Sequence, residues 1–280
     1  LFYERFLKNE DITLFSPHEV PGLYEAFGTE EFDEMYEKYE RAYSVPKEKI
    51  NAQQLFMKLL KERAETGRIY IMNIDHANSH SSFFEDEAKI NMSNLCQEIT
   101  LPTTPLDSPN DEQGEIALCI LSAINVGQMT NDFKEMPELC DLAVRALDEV
   151  IDYQDYPIKA AEISTKARRS LGIGYIGLAH FLAKNKVKYS DKEAFKLVHR
   201  LTEHFQYNLL ATSVQLAKEK GSCDGWSQTK YHLGLLPIDH YKKEVDELVD
   251  PVYECDWESL REEVAIHGVR NSTLTAQMPS

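Results

Sequence analysis

Short apolar runs rich in β-branched residues alternate with amphipathic helical text along this chain, and that alternation limits its fold more than any other feature. Residues 116–126, 170–176 and 269–276 read as strands. Residues 135–156 read as a helix with Leu139, Leu142, Val144, Leu147 and Ile151 on its apolar stripe. A long helix opens at the capping-box spacing Ser190-Asp191-Lys192-Glu193 and ends near Gly221, and another is capped by Asp256 and ends at Gly268. A short helix is expected between residue 176 and about Lys184. Upstream, residues 19–65 read as helices stopped by Gly67, residues 68–74 as a strand and residues 75–92 as a polar loop. Residues 94–101 read as extended chain closing at Pro102. Strands and helices in this order predict an α/β architecture with a largely parallel sheet or barrel.

The 280 residues suffice for one large domain or two ordinary ones, and a hydrophobic fraction of 42% is globular composition. A net charge of -17 argues against a protein that grips nucleic-acid backbone, which needs a basic face. It leaves room for a single nucleotide, because a few backbone N–H groups hold a phosphate. No apolar run approaches the roughly 20 residues of a membrane span, and no signal peptide opens the sequence. Five cysteines (Cys96, Cys119, Cys140, Cys223 and Cys255) lack CxxC spacing and read as reduced thiols of a cytoplasmic protein, without a metal site. The chain begins on Leu1 inside helix-like text and stops at Ser280 directly after a strand-like run. It is therefore expected to be a piece of a longer polypeptide.

Three constellations carry chemistry. Asn94, Cys96 and Glu98 alternate in Ser93-Asn94-Leu95-Cys96-Gln97-Glu98-Ile99, so in extended backbone an amide, a thiol and a carboxylate share one side. A thiol exchanges hydrogen or attacks, a carboxylate takes a proton, and an amide holds a hydroxyl. On spacing alone, an inert buried cysteine competes with this reading. Cys119, at the centre of an apolar strand, adds a second thiol if two strands point their sulfurs into one cavity. Gly172-Ile173-Gly174-Tyr175-Ile176-Gly177 matches GxGxxG and allows a dinucleotide site, with tight strand-to-helix packing as the plainer reading. His76 and His80 have i, i+4 spacing, but no HExxH accompanies them.

Several ordered segments together resemble the large, catalytic subunit of class I ribonucleoside-diphosphate reductase, nearest its aerobic bacterial and bacteriophage type. They are Thr66-Gly67-Arg68-Ile69-Tyr70, the 93–99 run, Gly114-Glu115-Ile116-Ala117-Leu118-Cys119 and Asp152-Tyr153-Gln154-Asp155-Tyr156-Pro157. Arg168-Arg169-Ser170-Leu171-Gly172-Ile173-Gly174 and Arg270-Asn271-Ser272-Thr273-Leu274-Thr275-Ala276-Gln277-Met278-Pro279-Ser280 continue the series. The resemblance implies a ten-stranded α/β barrel, with Cys96 on a central finger loop as the thiyl-radical carrier. It implies that Glu98 accepts the substrate 3′-hydroxyl proton, that Asn94 positions the ribose and that Cys119 is one of two reducing thiols. Pro279 and Ser280 would open the loop that receives the substrate diphosphate. The implied partners are a ribonucleoside diphosphate, a metal-containing radical-generating beta subunit, the remaining segments of the alpha subunit and a second alpha chain in a homodimer. Thioredoxin or glutaredoxin would serve as external dithiol. No cofactor is expected on this chain itself, and neither nucleic acid nor membrane is an expected partner.

The chain also departs from the family pattern. The family places the partner of Cys119 on an earlier strand, yet no cysteine precedes Cys96 here. Cys140, Cys223 and Cys255 do not match that position. The N-terminal allosteric region and the remainder of the barrel are missing, so residues 1–280 are expected to be the central part of the barrel domain. Two other readings stand beside this one: a fragment that assembles with others without turnover of its own, and a nicotinamide-dependent oxidoreductase using Gly172, Gly174 and Gly177.

Overall fold

The computed structural model describes residues 1–276 and divides into two units, Leu1–Ala77 and a second from Asn78 onward. In the first, β1 (Asp11–Phe15) pairs antiparallel with β2 (Lys47–Asn51), Asp11 opposite Asn51 and Phe15 opposite Lys47. Helices α1 (Phe2–Lys8), α2 (Glu31–Arg41) and α3 (Ala52–Thr66) accompany the pair. Helix α3 begins where the Asn51 side chain accepts from the N–H groups of Gln53 and Gln54, at 3.1 and 3.2 Å. It ends as expected at Gly67, whose φ of 66° favours a residue without Cβ. Tyr36 locks α2 to β1, its hydroxyl donating to the Thr13 carbonyl and accepting from the Thr13 N–H at 2.6 Å each.

Two expectations need correction here. Residues 19–65 are not all helical, because the polar run Lys47–Asn51 becomes a strand once β1 gives it a partner. Residues 68–73 form no strand, and Ile74–Ser79 forms helix α4 instead. Among the described residues nothing pairs with 68–73, Tyr70 and Ile71 stay exposed, and β-propensity without a partner does not hold a strand.

In the second unit β3 (Ile120–Asn125) pairs in parallel with β4 (Leu171–Ile176), Ile120 opposite Leu171. The chain after residue 268 contributes less strand than expected, since only its 273–275 stretch joins β4. There the N–H groups of Leu171 and Ile173 donate to the carbonyls of Thr273 and Leu274 at 2.9 Å, and Ile173 bridges Thr275 in parallel. Helices α5 (Met136–Tyr153) and α6 (Lys159–Arg168) lie between β3 and β4 in the sequence, and α7 (Leu178–Lys184) and α8 (Lys192–Lys220) follow β4. The short α9 (Pro237–His240) and α10 (Trp257–His267) come last. The core joins Met136, Cys140, Val144 and Ile151 of α5 to Leu201, Phe205, Leu209 and Val214 of α8 and to Leu171 and Ile173. Each such side chain contributes roughly 1.5–3 kcal/mol of burial.

Asp256 caps α10 by accepting from the Ser259 N–H at 3.1 Å, and Gly268 ends it at φ 70°. The capping box foreseen at Ser190 does not form. Asp191 is the N-cap of α8, and its carboxylate accepts from the Lys188 N–H at 2.9 Å, a local turn that competes with the cap. Strand β3 is shorter than the 116–126 expected, because its partner β4 begins only at Leu171, so Cys119 precedes the strand instead of lying at its centre. The described residues form a mixed α/β structure with two two-stranded sheets, and these do not close a barrel. Among the same residues no helix is long and apolar enough to cross a membrane.

A buried ion network fixes the sheet. Asp148 of α5 is fully buried, takes Arg169 at 2.7 Å, and also receives Asn271 at 3.1 Å and Arg270 at 3.4 Å. Arg169 closes on Asp152 with two further bonds at 2.8 and 2.9 Å, and Asn271 donates to the Arg169 carbonyl at 3.1 Å. The residues just before β4 and those just before 273–275 are thus held by one carboxylate.

Gly172 lies where these pieces meet. A Cβ there would stand 2.6 Å from Leu121 Cδ2, 2.7 Å from Cys119 Sγ and 3.2 Å from Ala276 Cβ. Gly172→Ala is expected to destabilise the chain by about 1–3 kcal/mol through overpacking. Denaturant unfolding measures it, and an unchanged midpoint would contradict the close packing.

Candidate active site

The 93–100 segment folds back on itself instead of running extended. Ser93 bridges Thr100 in antiparallel fashion, and the Asn94 N–H donates to the Ile99 carbonyl at 3.2 Å. The Asn94 side-chain oxygen accepts from the Ile99 N–H at 3.1 Å, the Gln97 N–H donates to the Asn94 carbonyl at 3.1 Å, and Gln97 takes φ 63°. An asparagine side chain that captures a backbone N–H makes a turn where alternation suggests a strand. This corrects the expectation that Asn94, Cys96 and Glu98 share one strand face. Cys96 instead sits exposed in the turn beside Leu95. The oxygen of Asn94 is committed to the loop, so the NH2 is what its amide offers a ligand.

At the base of this loop lies a cavity of 410 Å³. Glu98, Ile99 and Thr100 line one side, and Cys119, Ser82, Phe83, Gln206, Tyr231, His240 and residues 273–276 also line it. A second cavity of 280 Å³ is lined by Asn94, Ile99, Leu118, Cys119 and Leu121. Cys119 therefore borders both spaces, Glu98 the larger and Asn94 the smaller, while Cys96 lines neither. The wall is tied together by Ser82, whose hydroxyl donates to the Ser272 carbonyl at 2.8 Å and whose carbonyl accepts from the Lys230 N–H at 2.7 Å.

Glu98 and Cys119 are coupled. Burial pushes the Cys119 thiol up to about 12, and the negative charge of Glu98 adds to the effect. At neutral pH Cys119 is thus a protonated thiol that keeps its hydrogen. Glu98 Oε2 is shielded from solvent and makes no hydrogen bond. A carboxylate oxygen without a partner at a cavity wall is ready to accept a proton or a hydroxyl hydrogen bond from a ligand.

The remaining candidates resolve differently. Gly177 takes φ 80° before α7, and a Cβ there would meet Asn125 Oδ1 at 2.6 Å and the Gly127 nitrogen at 2.9 Å. The space at Gly172 and Gly177 is filled by this chain's own atoms, so these glycines serve close packing. Helix α4 stops at Ser79, so His76 and His80 share no continuous helix face; His80 lines the larger cavity and its Nδ1 meets the Ser79 hydroxyl at 2.8 Å. Pro279 and Ser280 lie outside the described residues. Gln206, Tyr231 and His240 have no motif around them, and only the folding of α8 and the 229–240 stretch brings them to the cavity.

The second unit is thus an α/β unit that sets a protonated thiol beside a carboxylate oxygen without a hydrogen-bond partner, with a further thiol on a tight loop. The sequence model of the ribonucleotide reductase barrel domain matches residues 1–280, and the chain belongs to that family. It is 54% identical over 282 residues to the ribonucleoside-diphosphate reductase 1 subunit alpha of Escherichia coli and to the subunit alpha of Haemophilus influenzae. It is 44% identical over 283 residues to the subunit alpha of Enterobacteria phage T4. Each match covers 100% of this chain and 37% of the relative, so the chain spans little more than a third of those proteins.

The Glu98–Cys119 coupling has a measurable sign. Removing the charge in Glu98→Gln lowers the thiol pKa, so iodoacetamide at pH 8 is expected to alkylate Cys119 at least about twofold faster, as followed by peptide mass spectrometry. Exposed Cys96 should react before Cys119 in both proteins. An unchanged Cys119 rate would contradict the coupling.

Proposed function

We propose that this chain carries the ribose-reducing centre of a ribonucleoside-diphosphate reductase and works as part of a catalytic alpha subunit. The observation that carries the reading is the shared cavity: Glu98 and Cys119 face one space at the base of the turn that holds Cys96. In the complete subunit the turn is the finger loop of a ten-stranded α/β barrel, and the surrounding strands enclose Cys96 against the substrate. The relatives' designation as subunit alpha supports a separate radical-generating beta subunit, and two alpha chains pair in the working enzyme.

In this mechanism Cys96, oxidised to a thiyl by the beta subunit, takes the hydrogen from C3′ of the ribose and becomes a thiol. The S–H bond formed and the activated C–H bond broken are of similar strength, so the step is near balance and reversible. Glu98 accepts the 3′-hydroxyl proton, which eases departure of the 2′-hydroxyl as water once it gains a proton from a thiol. Asn94 holds the ribose in place. Cys119 and a second thiol supply two electrons and end as a disulfide, C2′ gains a hydrogen, and Cys96 returns its hydrogen to C3′. Thioredoxin or glutaredoxin then reduces the disulfide. The high pKa of Cys119 suits this role, because a protonated thiol delivers hydrogen.

Cys96→Ser in the complete enzyme is expected to abolish deoxynucleotide formation while ribonucleoside diphosphate still binds; retained turnover would remove Cys96 from the mechanism. Cys119→Ser is expected to limit turnover to less than one equivalent per site with a dithiol present, and sustained multiple turnover would exclude it as an electron source. Residues 1–280 alone should not reduce a diphosphate, and activity should return with the complementary segments and the beta subunit. Failure to return would favour a purely assembling role.

A further inference from the structure

His240 ends α9, whose start is fixed by the Asp239 carboxylate accepting from the Leu236 N–H at 2.7 Å. It lines the same cavity as Glu98. Both its ring nitrogens, like Glu98 Oε2, are shielded from solvent, and no other residue hydrogen-bonds to them. An imidazole always carries at least one N–H donor, and a buried donor without an acceptor costs free energy that a ligand can recover. Two side chains of the cavity thus have unmet hydrogen-bonding groups, one acidic and one basic.

The surroundings of His240 say what kind of ligand atom it meets. Burial lowers its proton affinity first, and Lys230 and His80 lower it further by their charge. Asp239 opposes them, but its carboxylate is held by Arg261 at 2.6 Å. Lys230 donates its ammonium to the Ser79 carbonyl at 2.6 Å, and Glu85 is the acidic group that acts on it. His80 and His240 both line the cavity and Lys230 is close enough for its charge to act on His240, so in a chain of net charge -17 this side of the cavity favours an anion. Glu98 repels an anion from its own side.

We propose that His240 is a substrate-binding residue that donates an imidazole N–H to an oxygen of the substrate's diphosphate, while Glu98 faces the ribose. The proposal rests on the reading of the chain as part of a ribonucleoside-diphosphate reductase. An arriving phosphate offsets the repulsion from Lys230 and His80, so the bound state favours the imidazolium and strengthens the contact.

The test compares ligands with and without the diphosphate in the complete catalytic subunit. Kd is measured by calorimetry for a ribonucleoside diphosphate and for the same unphosphorylated ribonucleoside, in the wild type, His240→Phe and His240→Asn, with near-UV circular dichroism verifying the fold. His240→Phe should weaken the diphosphate about tenfold or more and leave the nucleoside within about twofold, with His240→Asn in between. If His240→Phe does not fold, a loss confined to the diphosphate in His240→Asn supports the proposal. Equal loss for both ligands, or no loss, overturns the phosphate assignment. A wild-type subunit that binds no ribonucleoside diphosphate overturns the parent reading itself, and shows it before any variant is made.

Discussion

One buried carboxylate organises the second unit. Asp148 has no solvent to turn to, and it takes Arg169 from the turn before β4 together with Arg270 and Asn271 from the turn before 273–275. Buried ion pairs give little net stability compared with apolar residues, but they tolerate few alternatives, because each missing partner strands a charge. Here the arrangement sets which residues of 273–275 meet β4. Leu171 and Ile173 can then donate to Thr273 and Leu274, and Gly172 is left where Cys119 and Ala276 close in. Arg169 holds its place at a cost, since its φ of 48° is one that few non-glycine residues adopt.

That register makes the cavity wall. Cys119 lies one residue before β3, opposite a glycine that leaves room for its sulfur, and residues 273–276 form the adjoining wall. The 93–100 loop then brings Glu98 near enough for its charge to act on the thiol. A proton acceptor without a partner and a thiol that holds its hydrogen stand at one space, as the reduction of an alcohol carbon by thiols requires. Membership of the ribonucleotide reductase barrel family and the residues that line this cavity are the two observations from which the ribose-reducing role is proposed.

Much of this was legible in the residues. The helices at 136–153, 192–220 and 257–267 follow from apolar periodicity and from caps such as Asp256, and β4 follows from its apolar run. What escaped depended on partners distant in sequence. Lys47–Asn51 is a strand only because β1 lies beside it, and residues 68–73 are not one because nothing does. The turn at 94–99 escaped because alternation carries no information about an asparagine that captures the Ile99 N–H. At the site, the pairing of Glu98 with Cys119 could be anticipated, whereas Arg169, Arg270 and Asn271 were visible only as parts of a resemblance and their common anchor was not. His240 had no signal, because its significance lies in a buried ring that no other residue hydrogen-bonds.

The central claim is that the space between Glu98 and Cys119 receives the ribose of a ribonucleoside diphosphate. The most direct measurement is the rate of Cys119 alkylation in the complete subunit, with and without saturating ribonucleoside diphosphate, using buried Cys140 as internal reference. With the ribose in that space, the diphosphate is expected to slow Cys119 severalfold relative to Cys140. Equal slowing of both thiols, or no slowing of Cys119, would contradict it.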